Sequence, residues 1–88
     1  MDMGKILGVK CDLVAGGMFS DEKVVSIGGN CYWIENRNMG FSRQDEVHYV
    51  KPVRVLEGSD ESNVIVGINA THGYVNILAE LDDLVMVE

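Results

Sequence analysis

Twelve residues, Val24–Glu35, restrict this chain more than any others. They read Val-Val-Ser-Ile-Gly-Gly-Asn-Cys-Tyr-Trp-Ile-Glu, two runs of β-branched and aromatic side chains either side of Gly28-Gly29-Asn30. Such side chains suit a pleated, half-buried surface. Glycine and asparagine tolerate the positive φ that a tight hairpin turn demands. The stretch therefore reads as a β-hairpin at the centre of a small sheet. It holds the only tryptophan, Trp33, in the densest apolar run, and the expectation is that Trp33 anchors the core.

The flanking sequence extends the same pattern. Val9, Cys11 and Leu13 alternate with Lys10 and Asp12, so residues 5–15 read as a first strand with one buried face and a bulge at Gly8. Gly16-Gly17 breaks it. Asn36–Gln44 has neither hydrophobic period and reads as a loop. Ser42 followed by Asp45 is a weak capping signal for a short helical turn over 43–49. Val47, Tyr49, Val53 and Val55 share a parity that reads as extended, with Pro52 demanding an edge or a bend. Residues 58–63 are a loop, 64–68 a strand and 71–73 a turn. From Tyr74 two readings stand. Residues 74–80 form a strand that turns at Asp82-Asp83 into Leu84–Glu88, or Ile77, Leu78, Leu81 and Val85 line one face of a helix capped by Asn76. Asp82 and Asp83 would oppose the dipole of that helix, which favours strands. The expected fold is all-β and mostly antiparallel. It is one domain over residues 1–88, a small β-barrel or sandwich of six or seven short strands with room for one short helix.

Composition limits the function classes. Eighty-eight residues, 47% of them hydrophobic, support one modest core. No apolar run approaches the length of a transmembrane helix. Met1–Lys5 lacks the apolar stretch of a signal peptide, and Asp2 replaces the glycine that myristoylation needs, so a cytoplasmic location is expected. Cys11 and Cys31 read as two buried thiols in strands, with a cross-strand disulfide as the alternative. The net charge is −7, and all seven Lys and Arg lie in residues 1–54, balanced there by seven acids. The excess sits in residues 55–88, a field that repels phosphates and argues against general nucleic-acid binding.

No catalytic set emerges, so the chain is not expected to be an enzyme. His48 and His72 have no cysteine pair at zinc-site spacing, and the acidic pairs match no calcium loop, so neither a metal nor a cofactor is expected. Two surfaces remain as candidates. The first is the stretch Arg37–Arg54, where Arg37, Arg43, Lys51 and Arg54 offer donors to an anionic, nucleotide-like ligand, with Phe41 or Tyr49 against its base. The competing reading pairs these cations with nearby carboxylates. The second is Asp60, Glu61, Asp82 and Asp83, an acidic surface for a basic protein partner, or simply a solubilising face.

Cys31–Glu35, Val50–Val55, Val75–Leu78 and Leu84–Val87 follow one another in an order that resembles the strands of the membrane-proximal domain of bacterial efflux adaptors. That resemblance implies a small β-barrel that contacts a transporter. Leu81-Asp82-Asp83 stands where that family carries a glycine-aspartate turn. The leading expectation from the residues is a non-catalytic acidic binding module acting through a protein partner or self-assembly. Small acidic viral proteins that inhibit a host enzyme share this profile. Binding of a nucleotide-like molecule at Arg37–Arg54 is the alternative, and the adaptor-like β-domain a third.

Overall fold

The structure is a computed structural model that describes residues 3–17, 20–60 and 62–87. Among these residues the chain forms nine strands: β1 (Ile6–Gly16), β2 (Glu22–Ile27), β3 (Asn30–Glu35), β4 (Met39–Ser42), β5 (Val47–Val50), β6 (Arg54–Glu57), β7 (Asn63–Ala70), β8 (Gly73–Glu80) and β9 (Leu84–Met86). Short 3-10 turns cover Met3–Lys5, Asn36–Asn38 and Leu81–Asp83. No helix among the described residues is long and apolar enough to cross a membrane.

All pairings are antiparallel. One sheet runs β3-β2-β1-β5-β4, with β9 also on β1, and the second runs β6-β7-β8. The two sheets do not close into a barrel, which corrects the barrel half of the expected fold and the barrel implied by the adaptor resemblance. They share one core. Val9, Val25, Ile34 and Val50 come from the first sheet, and Val64, Val66, Ile68 and Ala79 from the second. Thr71, at the tip of the β7–β8 hairpin, ties the sheets together. Its amide donates to the Trp33 carbonyl at 2.7 Å and its hydroxyl to Glu22 Oε2 at 3.2 Å. Glu22 is the one charged side chain buried among the described residues.

The central hairpin forms as read. Gly28 and Gly29 have φ of 57° and 86°, and Ile27 pairs with Asn30 across them. Positive φ at both turn positions is the type I′ geometry that matches strand twist. Gly8 also sits where the β1–β9 register shifts, between Ile6 and Gly8.

Several expectations are corrected. The strands number nine because residues 39–42, read as loop, form β4, and because Lys51-Pro52 divides 47–57 into β5 and β6 in different sheets. No helical turn extends over 43–49. Ser42 Oγ accepts the Asp45 amide at 3.1 Å, then Glu46 at φ 56° returns the chain into β5. Residues 76–85 finish β8, make a 3-10 turn and enter β9, the strand reading.

The phase of alternation also differs from expectation. Trp33 is 36% exposed, whereas its neighbour Ile34 is fully buried. Successive strand residues face opposite ways, so only one of the two can enter the core. The smaller, β-branched Ile34 does so, and Trp33 turns out with Cys31. Val50, not Tyr49, is the core residue of β5. Leu13 is 45% exposed although it shares the phase of buried Val9 and Cys11, and the β1–β2 register shifts just after it, between Leu13 and Ala15.

Candidate functional site

The basic stretch does not assemble as one site. Arg37 lies in a 3-10 turn, and its Nε meets Glu35 Oε2 at 2.7 Å. The Lys51 ammonium donates to the Arg37 carbonyl at 3.4 Å. Arg43 stands at the far end of the β4–β5 hairpin, in the turn after Ser42. Arg54 belongs to β6 in the other sheet. The two aromatics also part. Phe41 is in register with His48, and their rings meet at 4.9 Å, whereas Tyr49 is in register with Gly40. Adjacent positions on a strand point to opposite faces, so Phe41 and Tyr49 cannot line one pocket. The Tyr49 ring instead lies against Gly8 and Gly40, where an added Cβ would collide with it.

The acidic residues do gather. Glu57 ends β6, Asp60 follows it, Glu80 ends β8, and Asp82 and Asp83 form the next turn, so all five stand at one end of the second sheet. Glu61 lies outside the described residues. Some of these carboxylates also hold local structure. Asp60 Oδ1 accepts the Ser62 amide at 2.7 Å and the Ser62 hydroxyl at 2.5 Å, and these bonds hold its carboxyl below the ordinary value. Asp83 Oδ2 accepts the Glu80 amide at 3.0 Å. The Asp82 carboxylate is exposed.

The feature that sequence reasoning missed is the outer face of the second sheet. Val64, Val66 and Ile68 of β7 point into the core, which turns Ile65 and Gly67 outward. Register then aligns Leu56 of β6, Ile65 of β7 and Leu78 of β8 in one cross-strand row. Leu56 is 41% exposed and Leu78 61% exposed. Beside this row Arg54, Gly67 and Asn76 form the next one, and the Tyr74 ring lies over Gly67, where a Cβ would strike its hydroxyl. The result is an apolar centre of Leu56, Ile65, Leu78 and Tyr74. Arg54, Asn63, Asn69, Asn76 and Glu80 flank it. An apolar centre within a polar rim is the anatomy of protein–protein interfaces.

Next to this face, at the hairpin end, Cys31, Trp33, His72 and Tyr74 line an open cleft of about 230 Å³. The Trp33 and His72 rings meet edge to face at 5.6 Å. Cys31 is exposed here, which corrects the expectation of two buried thiols; Cys11 is buried, and both are free. Burial pushes the Cys11 thiol up to about 11, helped by the Asp12 charge. The thiolate is the reactive species. With Ellman's reagent at pH 8, one thiol is expected to react in the native protein and a second only in denaturant. Prompt reaction of both in the native state would contradict the burial of Cys11. The linked pH effect has a definite sign. The unfolded thiol ionises first, so this contribution to stability is complete below about 9 and is lost as pH rises towards about 11.

Comparison with protein-family models, with curated proteins and with solved structures gives no match to this chain. The adaptor resemblance therefore gains no support from them.

Proposed function

We propose that this chain is a non-catalytic binding module that docks a protein partner on the outer face of its second sheet. The observation that carries the reading is the row Leu56–Ile65–Leu78, held in register across three strands, with Leu56 and Leu78 exposed and Ile65 partly exposed between them, beside Tyr74. Rows of this kind are normally covered, because each exposed leucine forgoes roughly 1.5–3 kcal/mol of burial. The acidic end of the same sheet favours a partner with basic groups beside its apolar surface. Inhibition of an enzyme is one form that such docking takes.

The nucleotide-like alternative has less support. Arg37 is paired with Glu35, and Phe41 and Tyr49 project from opposite faces. The test uses the full chain as bait in an extract of the source cells, beside Leu56→Ser/Leu78→Ser. Both substitutions are on exposed positions, so the fold is expected to persist by circular dichroism. A partner retained by the parent and lost by the double variant supports the reading. Equal recovery by both, or no partner with either, overturns it.

A further inference from the structure

The second sheet ends on an open edge. β6 has four residues, and the amide of Val53, the residue before it, donates to the Gly67 carbonyl at 2.8 Å. β8 has eight residues, pairs among the described residues only with β7, and keeps unbroken register from Gly73 to Glu80. Native edges are usually blunted by lysine, proline or a bulge. β8 has none of these.

The direction of its backbone groups follows from Gly67. The Gly67 carbonyl points toward β6, since Val53 donates to it. Gly67 therefore turns away from its register partner Asn76, and that pair exchanges no hydrogen bonds. Asn76 must then direct its own N–H and C=O away from β7. Alternation extends this to Tyr74, Leu78 and Glu80. The Glu80 amide is taken by Asp83 Oδ2, on that same outer edge, so the open length runs from Tyr74 to Leu78. It offers three donors and three acceptors.

This edge borders a groove of about 280 Å³ between the two sheets. Ile77 and Leu78 form one wall, and Ile27, Gly28 and Tyr32 of the central hairpin face them. Lys10 and Asp83 also line it. Within the lining Asp83 offsets Lys10, and Glu80 and Asp82, its neighbours at the same end of the sheet, add two further carboxylates near that end of the groove. That balance suits a cationic occupant. A second copy would bring its own charge of −7 against the same field.

We propose that β8 takes up an extended basic segment of the partner as a fourth strand, bonded to the outward N–H and C=O groups of Tyr74, Asn76 and Leu78. This rests on the binding-module reading and gives that partner its chemistry. Main-chain bonds supply the affinity in strand addition, and alternate side chains supply the selectivity.

The probe is the peptide acetyl-Lys-Val-Lys-Val-Lys-Val-Lys-amide, titrated into the full chain labelled with ¹⁵N at low salt. Shifts and slowed amide exchange are expected at Tyr74, Asn76 and Leu78. The peptide with Glu in place of Lys is expected to bind at least tenfold more weakly. So is a peptide N-methylated at alternate amides along one edge. Asn76→Pro removes an outward amide that β7 does not use, and it should weaken binding at least tenfold. If that variant does not fold, the N-methylated peptide carries the comparison alone.

Equal binding of the N-methylated and unmodified peptides, with shifts confined to Leu56, Ile65 and Leu78, would overturn strand addition and leave face docking standing. No binding by any peptide would also overturn it, and the loss of partner in Leu56→Ser/Leu78→Ser would then still uphold the binding module. Concentration-dependent protection of β8 without peptide would make the occupant a second copy and overturn the basic-segment proposal.

Discussion

Ile34→Ala is expected to destabilise the protein by about 2–5 kcal/mol, while Trp33→Ala, one residue earlier, costs about 1–2 kcal/mol. The order is the reverse of what side-chain size suggests. Ile34 is fully buried among residues of both sheets, so its truncation leaves a cavity in a core with little to spare. Trp33 keeps 36% of its surface in water and has an edge-to-face contact with His72 as its ring partner. For a domain of this size each 1 kcal/mol moves the melting temperature by roughly 4–8 °C. The centres of the two ranges differ by about 2 kcal/mol, so thermal melts should separate the variants by about 8–16 °C. A larger loss for Trp33→Ala would mean that β3 is turned over relative to the core.

The second large effect is expected at Gly8. An added Cβ would collide with the Val50 carbonyl oxygen and the Tyr49 ring. The carbonyl belongs to the strand paired with β1 and cannot swing aside as a flexible side chain would. Gly8→Ala should therefore push β5 from β1 and cost about 3 kcal/mol, near the upper end for overpacking. Gly16→Ala is the matched control on the same strand, since a Cβ there meets nothing within 4 Å. It should fall within about 0.5 kcal/mol of the parent. Chemical denaturation of the pair is the measurement. Similar midpoints for both would show that β1 and β5 do not approach as closely at Gly8 as described.

Both predictions turn on how far the fold was legible in the residues. The turn at Gly28-Gly29 was legible because its φ requirement is local, and few residues meet it. The strand ending at Glu80 was legible from the dipole argument against a helix. Which neighbour in Trp33-Ile34 faces inward was not, because period two permits either phase and the choice depends on the sheet opposite. The division at Lys51-Pro52 was announced by Pro52, but a proline says only that the ladder stops, not that the chain changes sheets. The basic stretch looked like a cluster because its members are close in sequence. Strand alternation sends Phe41 and Tyr49 to opposite faces, and the change of sheet carries Arg54 away. The row Leu56–Ile65–Leu78 joins three residues separated by 9 and 13 positions, and only the pairing of three strands brings them together. Its one sequence signal was Val64 and Val66 alternating with Ile65, which indicates two faces but not which is left uncovered.

The long first strand has a further consequence, for the time course of folding. β1 receives β9 on one edge near its start and β5 on the other, and the Val87 amide reaches the Lys5 carbonyl at 2.7 Å. Of the nine strands, β1 is made first and thus waits for β9: Met86, the partner of Ile6, is made eighty residues later. The β2–β3 and β7–β8 hairpins close over two-residue turns and can form early from local contacts. Completion of the larger sheet requires nearly the whole chain to be looped, at the entropic cost that makes non-local sheets slow to fold. Until Leu84–Met86 emerge, the apolar flank of Ile6 and Val9 stays uncovered. The nascent chain is most vulnerable to aggregation in that interval.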